Sequence, residues 1–309
     1  MEKYLPKVEW MHTNGIFCYR IKTNLERITS VFFKHAIEYG IEDLPLIVTY
    51  SEEPKFTNLP IYALPTSPDN NTFYKVERPI IGGVSIASAN KFLGTLGYPV
   101  VKNNNASGTR GYIVASHLIP MNQTSTIYQP FQTNSSNYSI GNANNNQTKI
   151  DISYVVFSNI QPIIHVGKDP VLQNMNKRTS ENKTKMVIYG GTNPSGEIRK
   201  YGGITGNTGG YHVAYAYNLT APNIPGKIID TVGIMNGTAS VDGDSGGPVY
   251  MGMNVSLGNG VTDYQAFIIG SAFASATYNG EPVTLYTPRN ELSYYLDLKP
   301  YVITGKYLT

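Results

Sequence analysis

From Ile80 onward the chain reads as a succession of short apolar runs cut by turn residues: Gly82-Gly83, the Asn-rich stretch 103–105, Gly190-Gly191, Gly202-Gly203 and Gly209-Gly210. Short strands with Gly and Asn between them bury their apolar faces by stacking or closing, as a sandwich or a barrel. The side chains agree with this. The 24 tyrosines suit a pleated, half-buried surface. Charged residues are only 15% of the chain, against about a quarter in an ordinary domain. Asn, Ser, Thr, Gly and Tyr therefore build the surface, and the expected class is mainly β.

The part before residue 76 has a different pattern. Thr23-Asn24-Leu25-Glu26 has the form of a capping box, apolar residues recur at Ile28, Val31, Phe32 and Ile37, and Gly40 stands where a helix C-cap belongs. Strand-like runs follow at 46–50, 61–64 and 73–76. A helix on a few strands makes a small α+β unit. The expected division is residues 1–75 as an N-terminal domain or pro-region and 76–309 as the main domain. Within the latter, the Asn/Ser-rich segment 134–147 is expected to be a mobile surface loop. Pro288, followed by Leu292, Tyr295 and Leu296, predicts one closing helix with Pro in its first turn.

Charge and cysteine content exclude several roles. The net charge is +3 and the basic residues are scattered, so no stripe tracks a nucleic-acid backbone. No apolar run approaches the roughly 20 residues of a membrane-spanning helix, and Met1 to Pro6 lacks the apolar stretch of a secretory signal. Cys18 is the single cysteine, so the fold holds without an internal disulfide. Ten Asn-x-Ser/Thr acceptors, at Asn70, Asn105, Asn122, Asn134, Asn137, Asn146, Asn182, Asn218, Asn236 and Asn254, point to a glycosylated protein outside the cell or on its surface. His12, His35, His165 and His212 have no ligand spacing, and no metal or other cofactor is expected.

Gly243-Asp244-Ser245-Gly246-Gly247-Pro248 carries the most chemistry. Glycines on both sides of a serine permit a tight turn and let a carbonyl approach the main-chain N–H groups. In that geometry Ser245 is a nucleophile, and the N–H groups of Gly243 and Ser245 form an oxyanion hole. A serine hydroxyl needs a base within hydrogen-bond reach. His117 ends the apolar run Gly111-Tyr112-Ile113-Val114-Ala115-Ser116 and is the candidate. An acid must then hold the imidazole tautomer. Asp151 heads the run Ile152-Ser153-Tyr154-Val155, with Asp69, Asp242 and Asp263 as other acids.

These segments resemble the trypsin-like peptidase superfamily, and within it the disulfide-free bacterial and archaeal branch. The similar pieces are Arg78-Pro79-Ile80-Ile81-Gly82-Gly83-Val84-Ser85-Ile86, Gly94-Thr95-Leu96-Gly97, the His117 and Asp151 strands, Gly190-Gly191-Thr192-Asn193-Pro194-Ser195-Gly196 and the Ser245 loop. The order His, Asp, Ser is also that of this superfamily. The resemblance implies two six-stranded antiparallel β-barrels of chymotrypsin-like form, with a small N-terminal α+β region and a C-terminal helix. The triad would lie between the barrels, with His117 and Asp151 from the first and Ser245 from the second. It also implies hydrolysis of a polypeptide substrate through an acyl-enzyme, with Ala239 at the base of a pocket for an apolar or small P1 side chain. A catalytically silent domain used for binding, or an esterase acting on one partner, would carry the same fold.

The departures are specific. Ala115-Ser116 precedes the histidine where Ala-Gly or Ala-Ala is usual, and Leu118 replaces the cysteine that usually follows. Phe273 stands where a serine often supports the triad acid. In zymogens of the family a freed N-terminal Ile pairs with the acid before the nucleophile, here Asp244. Ile80 or Ile81 would be that residue, but Arg78 precedes Pro79, a bond that such enzymes cut poorly. The expectation is instead an internal cation, Arg110, beside Asp244.

Overall fold

The computed structural model describes residues 9–13, 16–20, 55–56, 76–102, 108–130, 136–166, 185–189, 196–220, 227–237, 239–258 and 261–302. The chain divides into two compact units, Met1–Ser51 and Glu52–Thr309. In the first unit β1 (Glu9–Thr13) and β2 (Ile16–Arg20) form an antiparallel pair. The helix expected over 23–40 and the strands expected over 46–50 and 61–64 lie outside the described residues, as does most of 73–76.

The second unit begins its ladders with β3 (Lys55–Phe56), β4 (Ile80–Gly82), β5 (Ser85–Ser88), β6 (Leu93–Thr95), β7 (Pro99–Lys102) and β8 (Arg110–Ala115). Next come β9 (Thr124–Tyr128), β10 (Ser139–Asn144), β11 (Ile152–Val156), β12 (Ile160–His165) and β13 (Lys185–Val187). β5 pairs with β6, and the chain bends at Leu96–Tyr98 so that β7 pairs with β8. β8 pairs with β11, β11 lies beside β10, β10 pairs with β9, and β9 returns to β5. With β6 and β7 taken as one bent strand, this circuit is a closed six-stranded barrel in the order 1-2-3-6-5-4.

The same circuit is repeated downstream. Its strands are β14 (Ile198–Gly202), β15 (Gly206–Gly210), β16 (His212–Thr220), β17 (Ile228–Met235), β18 (Pro248–Gly258), β19 (Val261–Tyr278) and β20 (Glu281–Pro288). β14 pairs with β15, which continues through Tyr211 into β16. From β16 the ladders run to β17, β20, β19 and β18, and β18 returns to β14. Closure leaves no long open edge, which is how a strand-rich chain avoids pairing with its neighbours. β3 adds to β19 at Ala276 and Thr277. After β20, α1 (Arg289–Leu296) carries the chain to β21 (Leu298–Pro300), which pairs with β7.

The apolar pattern explains which faces meet. On β8, Tyr112 and Val114 point into a core with Ile86, Leu96, Ile127 and Ile140. Ile113, on the opposite face, packs with Tyr98, Ile152, Ile268 and Leu292. β8 is thus buried on both sides, and each fully buried aliphatic side chain contributes about 1.5–3 kcal/mol. A third core, with Ile229, Val232, Phe273 and Leu285, fills the second barrel.

One expectation is corrected by the fold. Segment 134–147 is not simply a loop, because residues 139–144 form β10. Ala143 turns inward between the solvent-facing Asn142 and Asn144, and a bulge between Ser139 and Gly141 turns Ile140 inward as well, so strand pairing prevails over the polar composition. The closing helix appears as expected, with Pro288 at its N-cap and Leu292 buried. Among the described residues, no helix is long and apolar enough to cross a membrane.

Candidate active site

β8 ends at Ala115, and Ser116–Leu118 form one 3₁₀ turn that lifts the His117 side chain out of the core. β11 pairs with β8 in the register Ile152↔Ala115, so Asp151, just before it, falls beside that turn. The His117 ring Nδ1 bonds Asp151 Oδ2. His117 N donates to Asp151 Oδ1 at 3.0 Å and Ser116 Oγ donates to the same oxygen at 2.7 Å. Asp69 lies outside the described residues.

Asp151 has no exposed surface. Burial alone would push its carboxyl up, but the His117 and Lys227 charges and the donors from His117 and Ser116 outweigh that and hold it well below the usual carboxylate range. Lys227 is fully buried beside it and donates to Ser116 Oγ, to Ile150 O at 3.3 Å and to Asp151 Oδ1 at 3.5 Å. Ser116, before the histidine, thus links Lys227 to Asp151 through its hydroxyl.

The serine loop is held against the first barrel. Thr95 N donates to Ser245 O at 2.8 Å, and Thr95 Oγ1 donates to Gly243 O at 2.6 Å. Gly246 (φ +95°) lies so close that a Cβ there would stand 2.2 Å from Thr95 O and 3.2 Å from Ala115 N. Ala115 is two residues from His117, so the serine loop is seated beside the end of the strand that leads into the His117 turn. Ser245 Oγ itself donates to Phe273 O at 3.3 Å. Around it, the N–H groups of Asp244, Gly246 and Gly247 donate to backbone carbonyls. Among the described residues no hydrogen bond engages the N–H of Gly243 or of Ser245.

Asp244 is turned away from the cleft. Its buried carboxylate accepts from Lys200 Nζ at 2.8 Å, Thr205 Oγ1 at 2.7 Å, Thr205 N at 3.0 Å, Ile204 N at 3.1 Å and Val241 N at 3.2 Å. The internal cation is therefore Lys200 and not Arg110, whose guanidinium instead stacks over the Tyr301 ring at 4.7 Å. β14 delivers Lys200 from within the second barrel. Ile80 is fixed in β4, laddered to Ile160 and bonded through its carbonyl to the Tyr112 hydroxyl.

The remaining candidates are also located. Ala239 is half-buried, and next to it Ser240 Oγ lies 3.2 Å from Thr284 Oγ1. Asp242 is half-buried in the serine loop; burial pushes its carboxyl up to about 6, His117 opposes this and Asp244 adds to it. The His165 ring packs on Tyr201 and His212 on Tyr215. Among the described residues, no group of His, Cys, Asp and Glu could hold a metal ion.

No family model and no curated protein sequence matches the chain. Solved structures with a similar chain course include Thermobifida fusca protease A (16% identity, 72% of this chain and 99% of the other, TM-score 0.48). Others are a glutamic acid-specific serine protease (17%, 72% and 100%, 0.49) and Cellulomonas bogoriensis chymotrypsin (16%, 72% and 99%, 0.46). Both barrels have the strand order 1-2-3-6-5-4. The fold is chymotrypsin-like.

Lys200 and Lys227 were not among the sequence candidates. Lys200 stands beside a second cation in Ile198-Arg199-Lys200-Tyr201, and nothing local marks which of the two turns inward to an acid. Lys227 follows Pro222-Asn223-Ile224-Pro225-Gly226, a loop that predicts exposure, and nothing in the local pattern marks it.

Proposed function

We propose that this chain is a serine endopeptidase in which Ser245, His117 and Asp151 form the triad. The observation that carries the reading is the bond between the His117 ring Nδ1 and a buried, ionised Asp151, which leaves Nε2 for the serine loop that Thr95 and Gly246 hold opposite. In the reaction, the Ser245 hydroxyl leaves the Phe273 carbonyl and attacks the peptide carbonyl carbon while His117 takes its proton. Asp151 stabilises the resulting imidazolium. The oxyanion is met by the N–H groups of Gly243 and Ser245, preset donors that cost no reorganisation. The tetrahedral adduct collapses, the C–N bond breaks, and the leaving amine takes the proton from His117. Water, deprotonated by His117, then releases the acyl group and restores the Ser245 hydroxyl.

A polypeptide would lie along β19 at Phe273 and Ala274, between the β18 ladder, which ends at Ser271, and β3, which begins at Ala276. Ala239 offers no charge at the base of the pocket, so apolar or small P1 residues are preferred. The exposed acceptors Asn122, Asn137, Asn146, Asn218 and Asn254 suit a glycosylated surface.

A silent binding domain is favoured by one observation, the Ser245 hydroxyl resting on Phe273 O and not on His117. A fluorophosphonate probe separates the two. Labelling of the wild-type chain and not of Ser245→Ala supports the peptidase, and a folded wild type that stays unlabelled removes it. Cleavage of a peptide library then reads the P1 preference directly.

A further inference from the structure

Lys227 stands just before β17 with no exposed surface on its side chain. A buried ammonium is costly unless its charge and all its protons are matched. It has three N–H donors and no acceptor, and its neighbours are Ser116 Oγ, Ile150 O and Asp151 Oδ1. Because the ammonium can only donate, Ser116 Oγ must accept from it. The one Ser116 proton is then left for Asp151 Oδ1, 2.7 Å away.

We propose that Lys227 is a positioning residue of the triad, which locks Asp151 through Ser116 and sets the pH range in which His117 serves as base. The proposal rests on the catalytic reading above. Asp151 Oδ1 is occupied by Ser116 Oγ, His117 N and Lys227, so the carboxylate cannot rotate and presents Oδ2 to the ring. The ring orientation follows from that. The charge acts as well, since a cation behind Asp151 opposes the imidazolium that Asp151 favours. Burial works against the ammonium while Asp151 works for it. The charged groups facing the imidazole are Asp151, Lys227 behind it and, from the serine loop, Asp242.

Lys227→Met fills a similar space without charge, and Lys227→Gln keeps hydrogen bonding without charge. In the full chain, the rate of Ser245 modification by a fluorophosphonate is measured against pH, and the His117 imidazole is followed by NMR over the same range. In both variants the acidic limb and the imidazole midpoint should move to higher pH by roughly 0.5–1 unit. Ser116→Ala, which retains the charge, should slow labelling and leave the limb in place. An unmoved limb and midpoint in both Lys227 variants would overturn the proposal. Should neither variant fold, the Lys227 Nζ signal of the wild type decides: an ammonium at neutral pH supports the proposal and a neutral amine overturns it. A wild type that does not label would refute the catalytic reading, leaving the imidazole midpoints to judge Lys227.

Discussion

Lys200 Nζ lies 2.8 Å from Asp244 Oδ2, and neither side chain has exposed surface. This pair fixes Asp244, the residue before Ser245, from inside the second barrel, and on the proposed reading it takes the part of a freed N-terminus. Lys200→Met would leave a buried carboxylate without its cation, at a cost of about 3–5 kcal/mol. Denaturant titration checks this, and Ser245 labelling should fall with it, because the Gly243 and Ser245 N–H groups lose their frame. The labelled wild-type chain should have the mass of the intact 34.0 kDa chain plus that of the bound probe. A labelled species lacking residues 1–75 would mean that their removal, and not the internal pair, completes the site.

Asp151→Asn keeps the shape and loses the charge. The amide must present its nitrogen or oxygen to His117 Nδ1, and the tautomer that leaves Nε2 as acceptor is no longer enforced. The labelling rate should drop about 10⁴-fold. Stability changes too, with a definite sign. Asp151 is held below its unfolded value, so its contribution is present above about pH 4 and is lost as pH falls through the depressed folded value. Thermal unfolding should therefore separate wild type from variant at neutral pH, and the gap should close in strong acid.

The barrels were legible because turn residues and alternation are local: Gly82-Gly83 and Gly202-Gly203 punctuate strands wherever they fold. The His117–Asp151 contact was legible because each residue ends or precedes a recognisable run. The strand inside segment 134–147 is masked by its polar composition and by a bulge between Ser139 and Gly141, which puts Ile140 and Ala143 inward at a spacing of three and not two. The cations were not legible for a different reason. Lys200 meets Asp244 across 44 residues and Lys227 meets Asp151 across 76, and such pairings arise only when β14 and β17 close the second barrel. Arg110 is as basic as Lys200, and no local pattern in the sequence separates the two as partners of Asp244.

Asp242 gives a prediction of opposite sign to Asp151. Its carboxyl is pushed up to about 6 in the folded chain by burial, opposed by His117 and reinforced by Asp244. Between about pH 4 and 6 the folded state therefore binds more protons than the unfolded one, and stability falls as pH rises through that window. Asp242→Asn removes the penalty. The variant should melt higher than wild type at pH 7.5 and equally at pH 4. It also removes a negative charge facing His117, so the acidic limb of labelling should move to lower pH. A lower melting temperature at pH 7.5 would show that Asp242 is stabilising where it sits.

At Gly246 the serine loop is packed against the backbone of the first barrel. Its φ of +95° disfavours a side chain, and a Cβ would meet Thr95 O at 2.2 Å. Thr95 cannot retreat easily, because its N–H holds Ser245 O and its hydroxyl holds Gly243 O. Gly246→Ala should cost about 1–3 kcal/mol from the backbone alone, with the contact adding to it. What distinguishes this change from ordinary destabilisation is its direction: the serine loop is pushed away from Thr95 and Ala115, and so from His117. Ser245 labelling should therefore drop well below that of an equally destabilised core variant such as Leu285→Ala, in the second barrel. Equal labelling in the two would mean that the loop does not need its seat on the first barrel.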